Sequence, residues 1–192
     1  MKKLFALFLL VSSAAFAEPQ YGVGLQYEYD DYTSNNARLQ SVQKQGVVAG
    51  IRGDYGQLDT VIYNNLVKGD GFSDNTLGVE VGYGLGYTFA NKLGINSRIA
   101  HGRLFGRGLR APETTADYTT LAVGVGYPIN DNLSLGVGYR RRFTGDLDGQ
   151  NQYTAGGTYS FNKHYQLRVN YQHNVSSGRS TNGLATMLLY VF

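Results

Sequence analysis

The stretch YQHNVSSG, residues 171–178, sets an imidazole three residues ahead of a hydroxyl. A histidine that takes a proton from serine makes that serine a nucleophile for acyl hydrolysis. The chemistry also needs a third group to hold the imidazole in one tautomer. His173, Ser176 and Ser177 supply the first two members. No Asp or Glu follows His173 in the chain, so nothing local orients the ring, and a polar loop accounts for the same residues. His101 and His164 stand alone and there is no cysteine, so neither a metal-ligand spacing nor thiolate chemistry is present. The glycines alternate with apolar residues instead of opening a helix, which leaves no phosphate-cradling loop. No enzymatic activity, no metal and no cofactor are expected.

A second set of chemically capable residues is larger and more regular. Glu28, Arg52, Glu80, Arg98, Arg140, Arg142 and Arg168 each sit on the parity opposite an apolar run. Asp59 joins them if residues 45–66 form a hairpin. Gathered around one interior, these charges make either of two things. One is a salt-bridged polar plug, because buried charges must be paired. The other is an Arg-rich lining of a narrow passage, which favours anions. Both readings stand at this level, and the choice depends on the elements that carry the residues.

Those elements are strands. In LGVEVGYGLGYTF, residues 77–89, Leu77, Val79, Val81, Tyr83, Leu85, Tyr87 and Phe89 occupy one parity, with Gly, Glu and Thr on the other. Strict alternation specifies a strand with one apolar face, and four interior glycines would weaken a helix. The pattern recurs at Tyr21–Tyr29, Leu121–Ile129, Leu133–Phe143, Tyr153–Phe161, Tyr165–Tyr171 and Leu184–Phe192, and more weakly in 47–66 and 93–99. Polar three-residue breaks at Ala90-Asn91-Lys92, Asn130-Asp131-Asn132 and Asn162-Lys163-His164 suit tight hairpins. Folding about their centres pairs Tyr87 with Ile95, Tyr127 with Leu135 and Tyr159 with Leu167, apolar against apolar as register demands. A fourth turn near residues 53–56 pairs Ile51 with Leu58. Longer polar segments, about residues 31–44, 67–75, 105–117, 144–152 and 174–181, connect the strands at the other end. The expectation is an all-β, up-and-down antiparallel barrel of ten strands, with eight as the rival if 45–66 is loop.

The chain opens MKKLFALFLLVSSAAFA. This has the positive start, short apolar run and A-x-A ending of a secretory signal peptide, residues 1–17, leaving one domain over 18–192. Removing Lys2 and Lys3 from 17 basic residues leaves 15 against 14 acidic ones, so the charge gives no warrant for a nucleic-acid partner.

The parity opposite the apolar one decides which solvent the apolar face meets. It is mostly Gly with a few Arg, Glu, Thr and Gln. That is a poor water-facing exterior but a reasonable crowded lumen, where Gly leaves room for long side chains. Aromatic residues cluster towards both ends. Tyr87, Phe89, Tyr127, Phe161, Tyr165, Tyr190 and Phe192 lie by the short turns, and Tyr29, Tyr63, Tyr118, Phe143 and Tyr153 by the long segments. Two aromatic belts around an aliphatic band are a transmembrane-barrel feature. The barrel is therefore expected to span a membrane with its apolar face outward.

The whole mature chain resembles the small bacterial outer-membrane β-barrel proteins, the OmpA/OmpX-like group, in its leader, short turns, outer loops and final strand ending in Phe. The resemblance implies an integral protein of a Gram-negative outer membrane with periplasmic termini, monomeric, in contact with lipid and lipopolysaccharide. It also implies handling by periplasmic chaperones and recognition by the barrel-assembly machinery, with Leu184, Leu188, Tyr190 and Phe192 as the assembly signal. The group spans adhesins, structural proteins, narrow pores and lipid-modifying enzymes, so activity stays open. The expected role is structural or surface-interacting, with a narrow porin-like channel and a lipid A-modifying enzyme as alternatives. His173 and its serines resemble the triad of lipid A deacylases but depart from it in spacing and in lacking a local carboxylate. Arg103, Arg107, Arg110 and Arg141, near the long-segment end, are candidate partners for lipopolysaccharide phosphates through their bidentate forks.

Overall fold

The computed structural model describes residues 19–32, 39–108, 111–144, 147–176 and 179–192; the signal peptide expected over residues 1–17 lies outside them. Among the described residues ten strands close into one ring: β1 Gln20–Tyr32, β2 Leu39–Gly53, β3 Gly56–Gly69, β4 Phe72–Thr88, β5 Gly94–Gly108, β6 Ala111–Pro128, β7 Leu133–Thr144, β8 Leu147–Ser160, β9 Tyr165–Ser176 and β10 Arg179–Val191. Every neighbouring pair is antiparallel, and β10 closes on β1 from Gly22↔Val191 to Tyr32↔Thr181. Closure pairs both edges, so among the described residues no strand edge is left open to lipid or another chain. Ten strands, not eight, is the outcome.

The expected registers hold: Tyr87 faces Ile95, Tyr127 faces Leu135, Tyr159 faces Leu167 and Ile51 faces Leu58. Three of the turns share one device, an Asx turn that satisfies backbone N–H groups where the ladder ends. Asn91 Oδ1 accepts from Leu93 N at 3.1 Å, Asn130 Oδ1 from Leu133 N at 2.8 Å, and Asn162 Oδ1 from His164 N at 2.8 Å.

The other end differs from expectation. The segments read as long loops are largely strand, and strand lengths run from 12 residues in β7 to 18 in β6. β3 and β4 are joined by Asp70-Gly71 alone, with Gly71 at φ 72°. Asp-Gly is the two-residue hairpin signal, because its turn requires positive φ. It was hidden because the strands around it carry polar residues on both faces. Outward positions at this end are largely polar, among them His101, Arg103, Asp117, Arg141, Asn151, His173 and Asn182, with Phe105 and Phe143 interspersed. These strands run on beyond the apolar band.

Outward positions within that band are large, apolar and exposed: Leu25 63%, Val137 61%, Leu184 56%. The buried residues are mainly polar and face inward, among them Asp59, Glu80, Thr120, Gln152, Gln172 and Asn174. The barrel is inside-out relative to a soluble one, as a membrane-spanning barrel must be. Tyr63 and Tyr118 correct the aromatic assignment. Both are 2% exposed and point into the lumen rather than into the outer belt.

Inward glycines differ in what they make room for. At Gly156 a Cβ would stand 2.6 Å from Asn170 Cα and overlap the Val169 carbonyl, whereas at Gly86 the nearest atom would be 3.7 Å away. Gly156→Ala should therefore cost about 1–3 kcal/mol by overpacking, while Gly86→Ala should leave stability unchanged. Urea unfolding followed by the heat-dependent shift in gel mobility reads the difference.

Candidate functional site in the barrel lumen

Arg98 on β5 reaches over β4 to β3. Its Nε donates to Asp59 Oδ2 at 3.0 Å, a second nitrogen donates to Asp59 Oδ1, and Nη1 donates to Glu80 Oε1 at 2.7 Å. Gly82 lies between, as the register partner of Asp59, and any Cβ there would overlap the guanidinium. One glycine thus creates the path by which one cation satisfies two buried carboxylates, a geometry suited to the planar fork of Arg.

A second assembly crosses the lumen. Lys44 on β2 donates to its register partner Glu28 at 3.1 Å and stands 4.5 Å over the ring of Tyr63 on β3. The hydroxyls of Tyr63 and Tyr118 on β6 meet at 2.7 Å, and the guanidinium of Arg142 on β7 lies 4.4 Å over the Tyr118 ring. Lys44, Tyr63, Tyr118 and Arg142 form a continuous bar of cation–π, phenol–phenol and cation–π contacts. Its ends rest on β2 and β7, five strands apart in a ring of ten, and so on opposite walls. Glycine again makes the space. Tyr63 covers Gly78 and Tyr118 covers Gly102, each its own register partner, and a Cβ at either glycine would overlap the ring.

The bar divides the interior. The Arg98 cluster fills the β4–β5 side. On the other side, Asp30 accepts from Gln172 Nε2 at 2.7 Å and from Asn174 Nδ2 at 3.1 Å, and Gln152 Nε2 donates to Gln172 Oε1 at 3.0 Å. Towards the short turns this amide layer gives way to a cavity of about 150 Å³ whose walls include Glu28, Arg140, Gln152, Arg168 and Met187.

Of the charges picked out by pattern, Glu28, Glu80, Arg98, Arg140, Arg142 and Arg168 face this interior, and so does Asp59. Arg52 shares their parity but sits exposed beside the β2–β3 turn, away from the network. Lys44 is not among them because residues 31–44 read as loop, Asp30 because it stands just past Tyr29, where the apolar run ends, and Tyr63 and Tyr118 because aromatics near strand ends read as belt. Counting back from outward Val47 puts Lys44 on the opposite parity with Gly46, and that is the signal that would have recovered the lysine.

Two of the outer arginines have described side-chain partners. Arg103 is held by Asp117 through two hydrogen bonds, 2.6 and 2.9 Å. Arg141 stands 5.2 Å from the Phe143 ring. Arg107 pairs through its backbone with Asn75 near the end of β5, and Arg110 lies outside the described residues. His173 Nδ1 meets Asn182 Oδ1 at 2.8 Å on the outward face, while Ser176 has the inward parity and Ser177 lies outside the described residues. The His-x-x-Ser pair is therefore split across the sheet. Leu184, Leu188, Tyr190 and Phe192 line the outward face of the seam. The Tyr190 ring lies 4.9 Å from that of Phe192, and Phe192 N donates to Tyr21 O at 2.9 Å.

Two solved structures match nearly the whole barrel. The translocator domain of the autotransporter NalP from Neisseria meningitidis superposes with a TM-score of 0.54 at 12% identity, covering 98% of this chain and 93% of that one. The beta domain of the Bordetella autotransporter Brka gives 0.55 at 14% identity, covering 92% and 99%. The fold is that of the outer-membrane β-barrels. No protein-family model matches the chain, and no curated protein matches its sequence. At these identities the likeness is one of architecture.

Proposed function

We propose that the protein is an integral, monomeric outer-membrane barrel with periplasmic termini and a lumen closed by its own side chains. Its role is structural or surface-interacting rather than that of an open pore or an enzyme. The observation that carries this is the bar from Lys44 through Tyr63 and Tyr118 to Arg142, which spans opposite walls, with the Arg98 cluster filling the space beside it. A barrel of this size has little interior beyond what side chains occupy, and two Tyr rings packed on glycines block most of it.

In planar bilayers the wild-type protein should give no stable conductance steps. The Tyr63→Ala/Tyr118→Ala double variant, which removes the middle of the bar, should give small resolved ones. Regular wild-type steps would overturn the closed-lumen reading. A second reading, a narrow anion path, is favoured by one observation: Arg140 makes no ion pair or hydrogen bond among the described residues. Anion-selective wild-type steps that shrink in Arg140→Gln would establish it instead.

A further inference from the structure

The cavity beside the bar has a chemistry of its own. Arg140 on β7 and Arg168 on β9 are both in its wall. Arg168 is committed only to Thr158, its Nε donating to Oγ1 at 3.3 Å. Arg140 makes no hydrogen bond or ion pair among the described residues, although each acid nearby has partners of its own. Glu28 is taken by Lys44 at 3.1 Å, and Asp30 by two amides. Two arginines therefore line one small chamber with no carboxylate hydrogen-bonded to either among the described residues, Glu28 in the same wall acting on Arg140 only at longer range, and their guanidinium groups keep N–H donors for an anion's oxygens. The remaining wall is mixed, with Thr154 and Asn170 offering hydroxyl and amide groups and Ala185 and Met187 an apolar strip. Arg168 faces inward yet is solvent-exposed, so the chamber communicates with water on the short-turn side.

We infer that this chamber is a binding site for one small organic carboxylate, its carboxyl group on the arginine forks and its carbon body against Met187. Size sets the upper bound: a cavity of this volume holds a molecule of about six heavy atoms, as a benzene-sized void does. The apolar strip separates a carboxylate from inorganic phosphate, whose oxygens all want hydrogen bonds. The nearby negative charge of Glu28 likewise disfavours a doubly charged ion. The inference goes beyond the closed-lumen reading and does not depend on whether ions cross the barrel.

Met187 provides the reporter. The sequence has two methionines, Met1 in the leader and Met187 in the wall, so a methyl-labelled mature barrel in micelles gives one methionine signal. Lactate should move it saturably in the millimolar range, and glycerol, of equal heavy-atom count but neutral, should not. Arg140→Gln and Arg168→Gln should each weaken lactate by about tenfold or more, the loss expected for a charge-assisted hydrogen bond. Both variants are checked for folding by their heat-dependent gel mobility. Three results would overturn the inference: no saturable shift with lactate, a shift indifferent to both substitutions, or tighter binding of phosphate than of lactate. Failure here leaves bilayer conductance silent and the closed lumen intact. Wild-type conductance with normal lactate binding does the reverse.

Discussion

Arg98→Met should lower the unfolding free energy of the barrel by about 3–5 kcal/mol, the cost of breaking a buried ion pair from one side. Asp59 and Glu80 are 6% and 5% exposed, and Arg98 is the cation hydrogen-bonded to both. Without it, two carboxylates face each other across β3 and β4 with no hydrogen-bonded cation and must move or take up water. The loss should come from this orphaning rather than from the net worth of the cluster. The triple variant Arg98→Met/Asp59→Asn/Glu80→Gln, which removes charge from all three members, should therefore recover most of the stability. Arg98→Lys should fall between, since an ammonium cannot fork onto Asp59 while also reaching Glu80. Urea titration in lipid vesicles, read by tyrosine fluorescence and gel mobility, ranks the four proteins. A loss below about 1 kcal/mol in Arg98→Met would mean that water in the lumen solvates the carboxylates as an exposed site does.

Why part of this arrangement was legible in the sequence, and part was not, follows from where each residue gets its signal. Glu80 and Arg98 were readable because they interrupt clean apolar–glycine alternation, which fixes their parity and hence the side they face. The short turns were readable because an Asn-led break is a local event whose hydrogen bonds close within three residues. The upper halves of the strands gave no such pattern. Beyond the apolar band both faces meet polar surroundings, one the lumen and the other solvent, so alternation fades while pairing continues. Lys44, Asp30 and the Asp70-Gly71 hairpin were lost in that zone.

The bar was invisible for another reason. Tyr63 and Tyr118 are 55 residues apart and belong to strands that are not neighbours. Parity does place each ring inside, since Tyr63 is out of step with Leu58 and Ile62 and Tyr118 with Leu121 and Val123, but their place beside the aromatics of the strand ends masks it. Only the closed register sets Tyr63 against Gly78 and Tyr118 against Gly102, and so brings the two hydroxyls together.

The orientation of the sheet itself can be tested at one residue. On β7 the outward series runs Leu133, Leu135, Val137, Tyr139, Arg141, from the short turn to the polar rim, and puts Val137 at mid-band. Its partners Val125 and Ala155 are outward too. Val137→Arg should cost about 2–4 kcal/mol in a phospholipid bilayer, the depth-dependent penalty for a cation on the lipid face near the midplane. Thr119→Arg, on the outward face of β6 beside the polar rim, should cost about 0–1 kcal/mol, because an arginine there reaches the headgroups. Neither site touches the lumen, so a difference between them cannot come from the charge network or the bar. In micelles the gap should narrow, since detergent rearranges around a lone charge more readily than a bilayer does. Equal costs at the two positions would contradict a lipid-facing band. The apolar residues from Leu25 to Leu184 that stand more than half exposed would then need another partner to cover them.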